Sequence, residues 1–439
     1  MLKKMLTASI GFAALVLAPL LALAEEAAGP AIDTGDTGWM LVSTALVLLM
    51  TAPGLALFYA GMVRKKNVLA TLMQSFAILA IISIQWVLWG YSLSFGPDRF
   101  GLIGGLEWLG LSGVGIEPYP DYAATIPHQL FMLFQMMFAV ITPALITGAF
   151  AERMKFSAFL AFTLVWTTLV YDPIAHWVWG IGGWLRVLGA LDFAGGTVVH
   201  ISSGASALAA ALVLGKRKGY RFELMAPHNL PLSVIGAGLL WFGWFGFNAG
   251  SALGANGLAV SAFTATNTAA AAAALAWMII EWAHRGKPTI LGLSSGLVAG
   301  LVAITPAAGF VGPISSIIIG LLAGLVCYMS VSVIKPKLGY DDSLDAFGIH
   351  GVGGILGALL TGVFASIAVN PAGANGLVFG DAALLWKQVI AVAASGGYSF
   401  VVTVVALKVI DAVIGLRVEQ EEEVEGLDLS QHSESGYTM

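Results

Sequence analysis

The chain has 439 residues, of which 58% are hydrophobic and only 10% charged, and its formal net charge is −5. Soluble domains carry about 25% charged residues, so this composition excludes an ordinary soluble globule, and the slight acidic balance offers no basic surface for nucleic acid. A mean hydropathy of +0.88, with 54 glycines and 13 tryptophans, describes instead an all-α integral membrane protein of closely packed apolar helices.

In chain order, residues 1–24 read as a cleaved signal peptide. Lys3 and Lys4 precede an apolar stretch from Leu6 to Leu23, and Ala22-Leu23-Ala24 supplies a cleavage site before Glu25. Segment 25–38 then lies outside the membrane. Eleven apolar spans of about 20 residues follow, the length a bilayer core requires. They are expected near 39–63, 68–94, 128–149, 156–179, 196–214, 230–249, 259–283, 289–305, 313–334, 346–368 and 385–416, a membrane domain over 39–416. The single cysteine, Cys327, falls inside the ninth span; it reads as a core residue and permits neither a disulfide framework nor a thiolate metal cluster. Eleven crossings from an external N-terminus put the C-terminus inside. The charges agree: Arg64, Lys65, Lys66, Arg153, Lys155, Lys216, Arg217, Lys218, Arg221, Arg285, Lys287, Lys335, Lys337, Lys408 and Arg417 fall on one side, against Arg99, Arg186 and Lys387 on the other. A multi-pass protein of the plasma membrane, the inner membrane in a Gram-negative cell, is expected. The external loop 95–127 reads as a solvated, weakly acidic connection, and 417–439 as an acidic cytoplasmic tail.

Ionisable residues inside spans are costly and mark function. His200 lies in the fifth span and His350 in the tenth, and each follows an aspartate, Asp192 or Asp342, by eight residues. Five spans separate them, so equivalent spans run in opposite directions. This is the pattern of a 5+5 inverted-topology repeat, spans 1–5 against 6–10, with the working site at the repeat interface near the midplane. A pair of structural, helix-bridging histidines is the competing reading. No carboxylate or thiol accompanies the pair, so no metal site is expected; a bis-histidine haem rests on the two histidines alone. Asp192, ahead of Gly195-Gly196, is placed to cap the fifth helix.

Several segments together identify a family. Leu191-Asp192-Phe193-Ala194-Gly195-Gly196-Thr197-Val198-Val199-His200 resembles the signature of the Amt/Mep/Rh ammonium transporters, bacterial Amt branch. So do Phe134-Gln135-Met136-Met137-Phe138-Ala139, Gly148-Ala149-Phe150-Ala151-Glu152-Arg153, Ala175-His176-Trp177-Val178-Trp179-Gly180, Trp244-Phe245-Gly246-Phe247-Asn248-Ala249-Gly250-Ser251 and Phe347-Gly348-Ile349-His350-Gly351. The resemblance implies no enzyme but a transporter carrying ammonium-derived nitrogen into the cytoplasm, with no cofactor. It implies an outer recruitment site of Phe138, Trp179 and Ser251, a gate of Phe138 and Phe247, a pore pair of His200 and His350, and Asp192 close to the recruitment site. It also implies a homotrimer whose cytoplasmic face binds a PII-type signalling protein. The small-residue run Ala269 to Ala274 is a further, weak argument for close association. The tail Glu425-Gly426-Leu427-Asp428…His432 resembles the family's regulatory tail, with Ser433 where the family has Gly. The alternative is an ammonium sensor signalling through its tail.

The chemistry suits these residue types. Taking a small cation out of water costs tens of kcal/mol by continuum reckoning, and desolvated cation–π contacts return about 2 kcal/mol. Potassium enjoys the same π faces but has no proton to donate. Discrimination therefore requires hydrogen-bond donation or deprotonation, for which neutral imidazoles offer one donor and one acceptor each.

Overall fold

The computed structural model describes residues 31–437, so the expected signal peptide at 1–24 lies outside the described residues. Ten helices there are long and apolar enough to cross a membrane: α1 (Thr34–Met62), α2 (Lys65–Phe95), α3 (His128–Phe150), α4 (Phe156–Leu188, broken after Trp179), α5 (Gly196–Leu214), α6 (Leu230–Gly250), α7 (Gly257–Arg285), α9 (Pro313–Leu338), α10 (Phe347–Phe364) and α11 (Ala382–Ile414). Between α7 and α9 runs a shorter apolar helix, α8 (Ile290–Ile304). Its 15 residues rise about 22 Å at 1.5 Å each, less than a ~30 Å hydrocarbon core. Helix α1 begins at Thr34 rather than at 39, because the Asp33 carboxylate accepts the Asp36 N–H and caps it there.

Six of these helices contain a π-helical turn, among them α5 (Gly196–Ile201) and α10 (Phe347–Gly351). Such turns displace one backbone bond and are frequent at functional sites. Helices α5 and α10 cross with backbones touching: a Cβ on Gly204 would stand 2.1 Å from the Gly351 nitrogen. The alanines at 269, 270, 273 and 274 are buried within the chain, with Gly300 of α8 and Gly320 and Gly324 of α9 packed on this stretch. That run is a seam inside the subunit and gives no argument for a trimer. Cys327 is wholly buried, as a core residue should be.

The segment expected as a solvated loop, 95–127, is folded. Strands β1 (Asp98–Arg99) and β2 (Ile103–Gly104) form one hairpin, and β3 (Pro118–Tyr119) and β4 (Ala123–Pro127) a second. Trp108 stacks on Tyr91 at 5.5 Å, the Tyr91 hydroxyl meets His128 Nε2 at 2.6 Å, and Tyr122 stacks on Phe131 at 4.9 Å. Aromatic packing, invisible to a charge count, supplies the order. His176 of α4 holds β1 through Asp98 Oδ1 at 2.9 Å.

At the opposite end, Glu152 accepts from Arg64 Nε (2.9 Å) and Arg217 Nη1 (3.0 Å), while Arg217 Nη2 reaches Asp341 at 2.8 Å. Burial alone would raise both carboxyls. Arg217, with Arg64 at Glu152 and Arg153 at Asp341, holds both below their ordinary values instead. Carboxylates depressed in the folded state contribute stability that is present at neutral pH and lost only as pH falls through those lowered values. Removing the shared cation with Arg217→Met should cost about 3–5 kcal/mol, the usual effect of breaking a buried pair. Thermal melting in detergent at neutral pH tests this; an unchanged midpoint contradicts it.

The tail packs on this same end as α12 (Gln420–Glu425) and α13 (Leu427–His432). Each basic loop reaches it through one lysine, Lys66 Nζ donating to the Val424 carbonyl and Lys218 Nζ to Gln420. Arg64 and Arg217 face Glu152 and Asp341, and the tail is gripped by directed bonds. Ala70 N–H donates to Asp428 (2.8 Å), Leu427 N–H to Asn67 (2.8 Å), and Lys218 N–H to Glu423 (2.6 Å). Ala70, Val418 and Leu427 form a small apolar cluster beneath. Ser433 adopts φ +56°, the left-handed conformation glycine takes without cost.

Candidate functional site

A mouth of about 260 Å³ opens where α3, α4, α6 and the segment before α5 meet, and Phe138, Trp179, Ser251 and Asp192 all line it. Phe138 sits midway along α3 and is almost fully buried. Trp179 is the last residue before the break in α4, and its ring meets Phe138 edge-on at 5.7 Å and 88°. Ser251 follows α6 directly; its hydroxyl donates to the Phe247 carbonyl at 2.8 Å, which leaves its lone pairs to accept. One turn below, the Phe247 ring lies 4.3 Å from Phe138 at 31°. The two phenyls therefore form the floor of the mouth.

Asp192 sits at the N-terminus of α5, where the sequence pattern calls for a cap. Its carboxylate accepts four backbone N–H groups, from Gly195 (2.8 Å), Gly196 (2.7 Å), Thr197 (2.7 Å) and Val198 (3.1 Å). The Gly195 backbone, at φ +112°, allows the chain to fold back around the side chain. The Asp192 carbonyl accepts the Trp179 indole N–H at 2.9 Å. One residue thus fixes both the start of the His200 helix and the aromatic wall.

Below the phenyl floor is a narrow cavity lined almost wholly by apolar side chains, among them Phe58, Ile141, Leu145, Val199, Leu240 and Val298. The histidines enter it from the π-helical turns of α5 and α10, brought together by the Gly204–Gly351 crossing. Their Nδ1 atoms stand 3.3 Å apart and their rings are nearly parallel, 5.3 Å between centroids. At that separation the two ring nitrogens are within reach of a shared proton, one donating and the other accepting. His200 Nε2 is buried and has no hydrogen-bond partner within the protein. A buried ring nitrogen left open is costly, roughly 1–3 kcal/mol, and can exchange a hydrogen bond with a passing molecule.

All seven residues singled out in the sequence lie along one line from mouth to cavity. Three others on that line were missed. Trp244 stacks on His200 at 5.5 Å and 21°, its indole N–H donating to Thr305 at 2.9 Å; it stands three residues before Phe247, the helical spacing that puts both on one face. Gln135 lines the mouth, with Oε1 buried and unpartnered, and precedes Phe138 by the same spacing. Arg186 also lines the mouth; nothing in the motifs flagged it.

Comparison with known proteins is consistent throughout the chain. The model of the Ammonium Transporter Family matches residues 38–437. An ammonium transporter of Bacillus subtilis is 58% identical over 403 residues, covering 92% of this chain and 98% of its own. One from Aquifex aeolicus is 51% identical over 437 residues, covering 98% of this chain and 100% of its own. Among solved structures, Saccharomyces cerevisiae Mep2 superposes with a TM-score of 0.84 at 40% identity, covering 89% of this chain and 90% of its own. A structure titled Sensor Amt Protein gives 0.83 at 31% identity, covering 91% and 98%.

Proposed function

The chain belongs to the ammonium transporter family, a family of multi-pass membrane proteins and not of enzymes, and from that premise we propose how it moves its substrate. Ammonium is recruited at Phe138, Trp179 and Ser251, where two π faces and a hydroxyl acceptor replace part of its hydration. It gives up its proton at or below the Phe138–Phe247 gate. Ammonia then crosses the apolar cavity, while the His200–His350 pair takes and relays the proton toward the cytoplasm. The single observation that carries this reading is the 3.3 Å Nδ1–Nδ1 contact inside an otherwise apolar cavity. Asp192 acts by position, holding Trp179 and the His200 turn.

The proposed architecture is eleven crossings, α1–α11, with the N-terminus outside, the C-terminus inside and α1–α5 repeated in inverted sense by α6–α10. Its support is internal. Asp342 accepts the N–H groups of Ala346 and Phe347 at the head of α10, as Asp192 does at the head of α5, and each histidine sits in a π-helical turn. A cleaved signal peptide at 1–24, an external segment over 25–38, a membrane domain over 39–416 and a cytoplasmic regulatory tail over 417–439 complete the proposal. So do insertion in the plasma (inner) membrane, a homotrimer, and a PII-type partner gripping the ordered tail.

The sensor alternative draws on the docked tail and the likeness to the structure titled Sensor Amt Protein. One measurement separates the two. Purified protein in liposomes should give ammonium-dependent currents or pH changes absent from empty liposomes. Binding without flux in folded protein favours the sensor.

A further inference from the structure

The mouth recruits a cation, yet a cation already stands in its rim. Arg186 lies in the turn Trp184–Leu188 that follows the break in α4, is exposed, and lines the mouth with Trp179 and Ser251. Its Nη1 donates to the Trp179 carbonyl at 2.5 Å, which pins the guanidinium beside the aromatic wall. Arg186 makes no ion pair among the described residues. Of the two carboxylates in the lining, Asp192 is turned onto four backbone N–H groups and Asp121 is exposed.

An aromatic cage attracts monovalent cations with little discrimination, since the ring quadrupole responds to charge. A fixed positive charge repels them all. Ammonium alone relieves that repulsion by ceding a proton, because ammonia is neutral; potassium and sodium cannot. The same field disfavours ammonium relative to ammonia plus a departed proton. We infer that Arg186 is a specificity-determining residue of the transport reaction: its charge shortens the stay of any cation that cannot deprotonate and inclines bound ammonium toward releasing its proton to the histidine relay. The inference rests on the mouth being the recruitment site proposed above.

The test is solid-supported-membrane electrophysiology on proteoliposomes carrying wild type, Arg186→Gln or Arg186→Lys, titrated with ammonium with and without potassium. Ionic strength is set at about 0.01 M or about 0.15 M with N-methylglucamine chloride, where the Debye length is about 30 Å or 8 Å. At low ionic strength Arg186→Gln should lower the KM for ammonium about two- to threefold, the effect of one unit charge several ångströms away in water, and strengthen potassium inhibition by a similar factor. Arg186→Lys should behave as wild type, and the Gln effect should shrink at high ionic strength. An unchanged or raised KM in Arg186→Gln overturns the inference. So does Arg186→Lys behaving like Arg186→Gln, which would assign the effect to the hydrogen bond on Trp179 instead of the charge. Wild type without ammonium-dependent current overturns the transport reading itself and takes this inference with it.

Discussion

Folded His350→Ala protein is expected to lose ammonium-selective transport while keeping its fold and its outer binding site. The imidazole of His350 is the polar partner of His200 Nδ1, and His200 Nε2 has none. Deleting it leaves both nitrogens of His200 unsatisfied in an apolar cavity, a cost of roughly 1–3 kcal/mol per group. The space vacated relieves that cost by admitting water. A hydrated section no longer requires a substrate to shed its charge, so potassium should begin to pass. A proton acceptor held in position contributes roughly 10²–10⁴-fold where proton transfer limits a rate; a loss of about a hundredfold in selective ammonium flux is therefore expected. Phe138, Trp179 and Ser251 sit above the phenyl floor and touch neither histidine in this change, so ammonium binding at the mouth should persist.

The companion variant His200→Glu keeps a proton acceptor but adds a charge where neutral rings stood, and should favour cation leak over ammonia selectivity. The decisive comparison is paired potassium and ammonium currents from equal amounts of folded wild-type, His200→Ala and His350→Ala protein. Were the histidines merely bridges between α5 and α10, flux would fall in proportion to folded protein and selectivity would stay. Normal ammonium-selective currents in both alanine variants would sink the relay.

What the sequence disclosed and what it withheld follow from the range of the interactions. Spans are local, continuous features about 20 residues long, and ten of the eleven expected segments coincide with long apolar helices. The exception, 289–305, is apolar enough but short. Asp192 was legible as a cap because capping is a matter of three or four residues. The eight-residue interval shared by Asp192–His200 and Asp342–His350 pointed to a related pair, but not to their contact. That contact depends on Gly204 meeting Gly351, 147 positions apart by subtraction, and on π-helical turns that leave no periodic trace. The tail was legible in part. A charge count matched its acids to the loops at 64–66 and 216–218 without knowing that Arg64 and Arg217 are occupied by Glu152 and Asp341. Of those loops Lys66 and Lys218 do reach the tail, at the Val424 carbonyl and the Gln420 side chain, but Asn67 and the backbone N–H groups of Ala70 and Lys218 also hold it, and these carry no charge to be read.

Asp192 offers the largest expected loss of folded protein at the site. Four buried N–H groups at the head of α5 depend on its two carboxylate oxygens. An ordinary exposed cap is worth ~0.5–2 kcal/mol, but these four N–H groups are buried, and each donor left unsatisfied costs roughly 1–3 kcal/mol. Asp192→Ala should therefore yield little folded protein or melt far below wild type. Asp192→Asn is the informative variant. The amide oxygen can serve two of the four donors, while its NH₂ group turns a donor toward the remaining two. Folding should survive at a lowered melting temperature, with the head of α5 shifted. Because the same residue's carbonyl receives the Trp179 indole N–H, that shift moves the aromatic wall and the His200 turn together. Transport per folded molecule should then fall further than stability does, by about tenfold or more if a displacement near 1 Å costs what it does at other precisely built sites. Detergent melting and ammonium currents normalised to folded protein give the two readouts. An Asp192→Asn protein that melts and conducts as wild type would show that the four-fold cap positions nothing the transport step needs.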